Sequence, residues 1–363
     1  MPPIADFDQM SCPTPRRQHE RVLLGHGSGG KLSADLIQRV FLKELGNDVL
    51  SSLEDSATLA LGSLEPAVDD ARSGPRIAFT TDSFVVKPLF FPGGDIGKLA
   101  VFGTVNDLAV VGATPLYLSA AFILEEGFEI ELLRRIVISM RHACDQAGVT
   151  LVTGDTKVVD RGKGDEVFIT TTGIGLHAAN HALSIRNARP GDQIIVSGTI
   201  GDHGMTIMST REGIEFETAL QSDTAPLNDL TRAMLDACPS IRVMRDPTRG
   251  GVSSTLNELA TASNVGILLD EASIPVRPEV HSACEMLGLD PMYVANEGKL
   301  IVVVAEQDCQ SLMKVMKQHP LGRDAAVIGN VTADHAGMVV MRTLVGGQRV
   351  VTMLAGEQLP RIC

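Results

Sequence analysis

The sequence predicts an α/β (α+β) protein built from two domains. Three observations carry that expectation. The chain has 363 residues, enough for two domains of ordinary size. Apolar residues make up 44% of it, enough to fill a sizeable core. From about residue 57 onward, short β-type runs alternate with stretches of helical spacing.

The elements follow in chain order. Residues 1–21 are polar and proline-containing and read as a flexible leader. An apolar run from Val22 enters Gly25-His26-Gly27-Ser28-Gly29-Gly30-Lys31, and Leu32, Leu36, Ile37, Val40 and Phe41 then recur at helical spacing, so a glycine-rich loop feeds a helix. Strands are expected at Ala57–Leu61, Ile77–Thr81, 116–124, Val149–Thr153 and Val167–Gly173. Helices are expected over 95–111 and Glu129–Ala147, the latter with Leu132, Leu133, Ile136, Val137 and Met140 on one side. Turn-forming residues near 178–192 mark a boundary between an N-terminal domain, 22–178, and a C-terminal domain, 179–354. In the second half the expected elements are Ile194–Ser197, Leu227–Leu235, Gly250–Ala262, Gly266–Leu269, Leu300–Val304, Ala326–Val331 and closing strands in 337–354. A mobile tail, 355–363, ends in Cys363.

The formal charge of −13 argues against non-specific binding to nucleic acid or anionic membrane. It suits a nucleotide enzyme in which metal ions bridge acidic side chains to phosphates. None of the six cysteines forms a CxxC pair, so neither a disulfide framework nor a zinc ribbon is expected. Cys144, Cys238, Cys284 and Cys309 read as small hydrophobes, Cys12 falls in the leader, and the compartment expected is the reducing cytoplasm. A terminal thiol such as Cys363 has few packing neighbours and is a strong nucleophile as its thiolate.

Five acids stand beside strands or turn residues: Asp55, Asp82, Asp107, Asp155 and Asp246. Such carboxylates can share Mg2+, though each alone also suits a turn or helix cap. Asn106-Asp107 is the exception, because it interrupts an otherwise apolar helical run where an unpaired charge is costly. Gly27, Gly29, Gly30 and Lys31 have the look of a phosphate-cradling loop, without Walker A spacing. Lys157 could neutralise a transferring phosphoryl group or simply be a surface lysine. Glu297, in Asn296-Glu297-Gly298-Lys299, could be a general base or belong to a plain turn. His203, in Gly201-Asp202-His203-Gly204, reads as a structural hydrogen-bonding residue.

Together these motifs, with Pro88-Leu89-Phe90-Phe91-Pro92-Gly93-Gly94, Arg245-Asp246-Pro247-Thr248-Arg249-Gly250-Gly251 and the terminal Pro360-Arg361-Ile362-Cys363, resemble the HypE family, the carbamoyl dehydratases of NiFe-hydrogenase maturation. The resemblance spans about residues 22–363. It implies a PurM-like (aminoimidazole ribonucleotide synthetase) fold, with an N-terminal ATP domain that dimerises through a β-barrel-like sheet. It also implies ATP-dependent dehydration of an S-carbamoyl group on Cys363 to a thiocyanate, the source of a cyanide ligand to iron. By that resemblance Asp55, Asp82, Asp107 and Asp246 hold Mg2+. Gly27, Gly29, Gly30, Lys31, Asn106 and Asp155 serve the nucleotide, and Cys363, Lys157 and Glu297 serve the chemistry. The implied partners are a HypF-type carbamoyltransferase, a HypC–HypD scaffold complex and a second copy of the chain. Another PurM-like ATP enzyme, such as selenophosphate synthetase or thiamine-phosphate kinase, is the alternative. Neither needs a C-terminal cysteine, and Cys12 stands in no matching context. A catalytically inactive scaffold is a further alternative, against which the intact set of acids, Lys157 and Glu297 argues.

Overall fold

Alternating burial along 113–125 and 167–177 makes one-faced strands, which need a helical layer to cover them. A computed structural model describes residues 22–60, 76–177, 183–213, 220–354 and 362–363. The expected leader and residues 355–361 of the expected tail lie outside the described residues.

After a short helical segment, α1 (Lys31–Leu36) and α2 (Leu42–Leu45), come β1 (Ala57–Ala60), β2 (Arg76–Phe84), β3 (Phe90–Phe91), β4 (Gly94–Asp95) and α3 (Ile96–Val110). Next are β5 (Ala113–Glu125), α4 (Ile130–Ala147), β6 (Thr150–Val159) and β7 (Val167–His177). These strands form a five-stranded sheet of order β1-β2-β7-β5-β6, antiparallel except for the parallel β5–β6 pair, with β3–β4 as a separate ribbon.

The second half contains β8 (Gln193–Val196), α5 (Asp202–Glu212), α6 (Asn228–Ala237), β9 (Val243–Arg245), α7 (Gly251–Ser263), β10 (Gly266–Asp270) and α8 (Pro278–Leu287). It closes with β11 (Ile301–Val304), α9 (Glu306–Gln318), β12 (Ala326–Thr332), β13 (Val339–Arg342) and β14 (Gln348–Val351). Its seven-stranded sheet has the order β14-β13-β10-β12-β8-β11-β9. The central strands β8 and β11 are covered on both faces. Ile194, Val196, Ile301 and Val303 join a core with Leu256 and Leu259 of α7. The alternate residues Ile195, Val302 and Val304 join a core with α6 and α9.

Most expected elements are present within a few residues, and α5, α8 and α9 add to them. Two differences have clear causes. β6 runs through Gly154-Asp155-Thr156-Lys157, because that stretch pairs with β5, Ala121 facing Asp155 and Ile123 facing Lys157. The buried stripe of α4 is Ile136, Met140, Ala143, Cys144 and Ala147, whereas Val137 is exposed, because the face that meets α3 is shifted toward the helix C-terminus. The four expected apolar cysteines, Cys144, Cys238, Cys284 and Cys309, are free and buried.

Helix α3 joins the two halves. Its N-terminus is capped by Asp95, whose carboxylate accepts from the Gly97 and Lys98 amides at 2.8 and 3.1 Å. It is apolar on nearly every side because the first sheet covers one face while α4 and α6 cover the others. Asn106 is 2% exposed and clasps the second half. Its amide nitrogen donates to the Ala225 and Glu297 carbonyls (3.1 and 3.4 Å), and its oxygen accepts from the Leu227 amide at 2.8 Å. Replacing Asn106 with Ala strands these buried backbone groups. It should cost about 2–4 kcal/mol of stability, read by urea denaturation.

Candidate active site

Asp82 lies two residues before the end of β2, Asp107 on the last turn of α3, Asp55 just before β1 and Asp246 just after β9. Glu297 sits in the loop before β11. Five separate segments from both halves therefore bring their carboxyl groups to one cleft. A cavity of about 30 Å3 is lined by Asp82, Asp107, Asp246, Thr248, Arg249, Glu297 and Cys363, among others. That free space suits water-sized occupants, because the chain terminus itself fills the rest.

The carboxyl groups raise one another's proton affinity. Burial holds Asp107 well above its ordinary value, and Asp246, Asp82 and Asp55 add to the effect. Burial likewise raises Asp55 and Asp82, partly opposed by Arg245 and Arg249 respectively. Burial raises Glu297 strongly, reinforced by Asp223 and Asp82. Few groups offset this charge. Arg245 pairs with Asp55 at 2.8 Å and with Glu258 at 3.0 Å. Thr80 Oγ1 donates to Asp107 at 2.8 Å. Arg249, at the cavity mouth, is held charged by Cys363 first, then by Asp82, Glu297 and Asp107.

The terminus is docked in this cleft. Ile362 bridges Val86 in antiparallel fashion, the Val85 amide donates to the Cys363 carbonyl oxygen at 2.9 Å, and the Ile362 side chain is 5% exposed in the first core. The Cys363 thiol lies within hydrogen-bonding reach of Glu297, and loss of hydration, then Glu297, pushes its proton affinity up. Glu297 Oε1 is buried with no hydrogen-bond partner. The loop carrying Glu297 is held by Asp223, which accepts from the Glu297 amide at 3.1 Å and pairs with Lys299 at 3.2 Å. Gly298 allows this approach, since a Cβ there would meet the Asp223 carbonyl oxygen at 1.9 Å.

The glycine-rich loop closes one side. Arg249 donates to the Gly27 carbonyl at 3.2 Å, a Cβ on Gly29 would meet Arg249 at 2.6 Å, and the Lys31 amide donates to the Leu354 carbonyl at 2.9 Å. Gly27, Gly29, Gly30 and Lys31 thus lie between the Arg249-Gly250 turn and the base of the tail. Gly250, at φ +78°, makes that turn possible.

Two expected placements differ. Both amide hydrogens of Asn106 and one lone pair of its oxygen are taken by backbone partners, so it positions the Glu297 loop. Asp155 and Lys157 do not line the cavity. They stand exposed on edge strand β6, paired with each other at 2.7 Å. The Lys157 hydrogen bond holds the Asp155 carboxyl below its ordinary value. Arg249, Arg245 and Asp223 carry no expected role. A sequence signal existed only for the arginines, as the cations flanking Asp246.

Among the described residues no three His, Cys, Asp or Glu donors stand where one ion would bind them all. The donor set is nevertheless all oxygen and strongly anionic, which fits Mg2+. That ion takes one or two carboxylates and completes its shell with water and phosphate oxygens.

Known proteins resemble both halves. Residues 55–177 match the AIR synthase related protein N-terminal domain, and residues 189–342 match the C-terminal domain of the same family. Carbamoyl dehydratase HypE of Cupriavidus necator is 54% identical over 343 residues, 94% of this chain and 95% of that protein. The chain belongs to the HypE family. A HypE in a crystal structure of a HypE–HypF complex is 48% identical with a TM-score of 0.80, covering 88% of this chain and 99% of that one. A HypE crystallised in complex with ATP is 47% identical with a TM-score of 0.77, covering 94% of this chain and 100% of that one. The PurM-like fold expected from the motifs is therefore the HypE fold, and the rival families drop away.

Asp246 is pushed up to about 6 from an ordinary 3.8, by burial first. The folded chain then binds this proton more tightly than the unfolded chain, so its contribution to stability declines as pH rises through about 6. With divalent cations and nucleotide removed, Asp246→Asn should melt above the parent by clearly more at about pH 7.5 than at about pH 5, because the contribution is lost progressively between the ordinary 3.8 and about 6. Thermal melts at the two pH values check this.

Proposed function

We propose that the protein dehydrates an S-carbamoyl group carried on Cys363, using ATP, in the maturation of NiFe hydrogenase. The observation that carries this reading is the terminal thiol seated against Glu297 in a cleft ringed by Asp82, Asp107, Asp246 and Arg249. The family relationship and the ATP-bound relative support it.

A carboxamide oxygen is a poor leaving group. Transfer of the γ-phosphoryl of ATP to that oxygen makes it a good one. Glu297, whose buried position raises its basicity, takes one proton from the amide nitrogen, and the second N–H proton leaves for solvent. The C–O bond then breaks, phosphate departs with the oxygen, and the carbon–nitrogen triple bond forms. The products are an S-cyano group on Cys363, ADP and phosphate. Gly27, Gly29, Gly30 and Lys31 would receive the phosphates beside Arg249, whose guanidinium offsets charge at the transferring group. Asp55, Asp82, Asp107 and Asp246 would hold Mg2+, which supplies charge neutralisation to the phosphates when bound.

The tail must also leave. A HypF-type carbamoyltransferase would load Cys363 outside the cleft, in keeping with the HypE–HypF complex of a relative. A HypC–HypD scaffold would receive the cyanide. The docked terminus is the inward state, in which reacting atoms can come within about 3–3.5 Å.

A second copy of the chain completes this picture. Phe79, Ile174 and Tyr117 form one cross-strand row on the outer face of the first sheet, each more than a third exposed, and β6 is an unpaired edge. Such a face and edge are what a dimer covers. Asp155 and Lys157 lie on that face, so any part they take at the nucleotide or the carboxamide is taken in the dimer. The cytoplasm is the compartment that suits these partners. Among the described residues no helix is long and apolar enough to cross a membrane.

Two outcomes are expected. After loading by the carbamoyltransferase, intact mass should rise by about 43 Da on the Cys363 peptide and fall to about 25 Da with Mg-ATP, the masses of a carbamoyl group and of its dehydrated form. Glu297→Gln should load normally but lose about 10²–10⁴-fold in the second step. A mass that never falls in the parent protein would overturn the dehydratase reading. Separately, Ile174→Glu should halve the mass seen by light scattering from that of a dimer to that of a monomer, since it puts a charge in the middle of the apolar row.

A further inference from the structure

Two motifs remain outside the chemistry above, the Gly201-Asp202-His203-Gly204 turn and the Pro88–Gly94 loop. Both converge on the penultimate residue. His203 lies in the first turn of α5 and is 0% exposed. Its Nε2 faces the Ile362 carbonyl oxygen at 2.5 Å, and its Nδ1 faces the Ser222 hydroxyl at 2.8 Å. A carbonyl can only accept, so Nε2 carries the proton and Nδ1 accepts from Ser222. Burial lowers the proton affinity of the ring, in keeping with a neutral imidazole. Ser222 is fixed in turn, its hydroxyl 2.6 Å from that of Thr224 and its amide donating to the Pro92 carbonyl at 2.9 Å. Phe91 meets the imidazole edge-on, with centroids 5.5 Å apart.

We propose that His203, oriented by Ser222, is the latch that seats the carrier tail. It is a positioning residue: it is not among the residues lining the cavity around the thiol, and it holds the carbonyl one residue before the cysteine. The strand-like bridge to Val86 cannot do this alone, because it fixes the backbone only along one edge. The imidazole adds a second direction and so sets how far the thiol reaches toward Glu297. A single neutral hydrogen bond is also weak enough to break, which a tail that must leave requires.

The inference rests on the proposed function only for the cargo, so it can be tested on the unloaded chain without ATP or any partner. Iodoacetamide is added to the full-length protein, and alkylation of the C-terminal peptide is followed by mass spectrometry. The parent should be protected. His203→Ala should react about tenfold faster, the order expected for losing one buried hydrogen bond and its packing. His203→Gln, whose amide can donate from nearly the same place, should restore protection. Ser222→Ala, which leaves the imidazole in place but unoriented, should lie between and serves if His203→Ala does not fold. Melting temperature and nucleotide binding are the folding controls. A folded His203→Ala with the parent's alkylation rate would overturn the latch. His203→Gln as reactive as His203→Ala would overturn the hydrogen-bond assignment. Protection that behaves as expected while the loaded protein is never dehydrated would leave the latch standing and remove the dehydratase reading.

Discussion

Too many carboxyl groups share one cleft. Asp55, Asp82, Asp107, Asp246 and Glu297 are brought together by five segments, with Arg245 and Arg249 as the cations that oppose them. Burial makes each ionised form costly, and each neighbour makes it costlier. A fold that keeps such a cluster needs rigid support elsewhere. It has that support in α3, apolar and enclosed between the first sheet and the helices α4 and α6, and in the Asn106 clasp to the second half. Such a surplus of buried oxygen donors is the kind of set that suits divalent cations.

Docking of the terminus follows from this arrangement. Ile362 supplies apolar anchorage in the first core, while the backbone of the last two residues is satisfied by Val85, Val86 and His203. Cys363 then occupies a place where its thiolate is disfavoured. A thiol held this way is kept in its less nucleophilic, protonated form, whereas a thiol in water ionises more readily.

Much of this was legible from the sequence. The periods of β5, β7, α3 and α4 were readable because local burial imposes them. Asp107 stood out because a charge within an apolar helix demands a partner. The terminal Pro-Arg-Ile-Cys and the scattered acidic motifs were specific enough in combination to point to one family. Less legible were partnerships between distant residues. His203 and Ile362 are 159 positions apart, and Asn106 and Glu297 are 191 apart, so no local pattern announces either pair. Asp155 and Lys157 looked like members of the acidic site, yet register with β5 turns them onto the outer sheet face.

The sequence by itself therefore determined which chemical groups are present and which stretches become strand or helix, since both depend on side-chain type and short-range spacing. Tertiary structure alone decided which carboxyl groups meet, how far burial shifts them, that the terminus lies inside, and that Asn106 is a clasp. The reason is physical: desolvation and Coulomb interaction depend on distance in space and on exclusion of water, and both are set only when remote segments pack together.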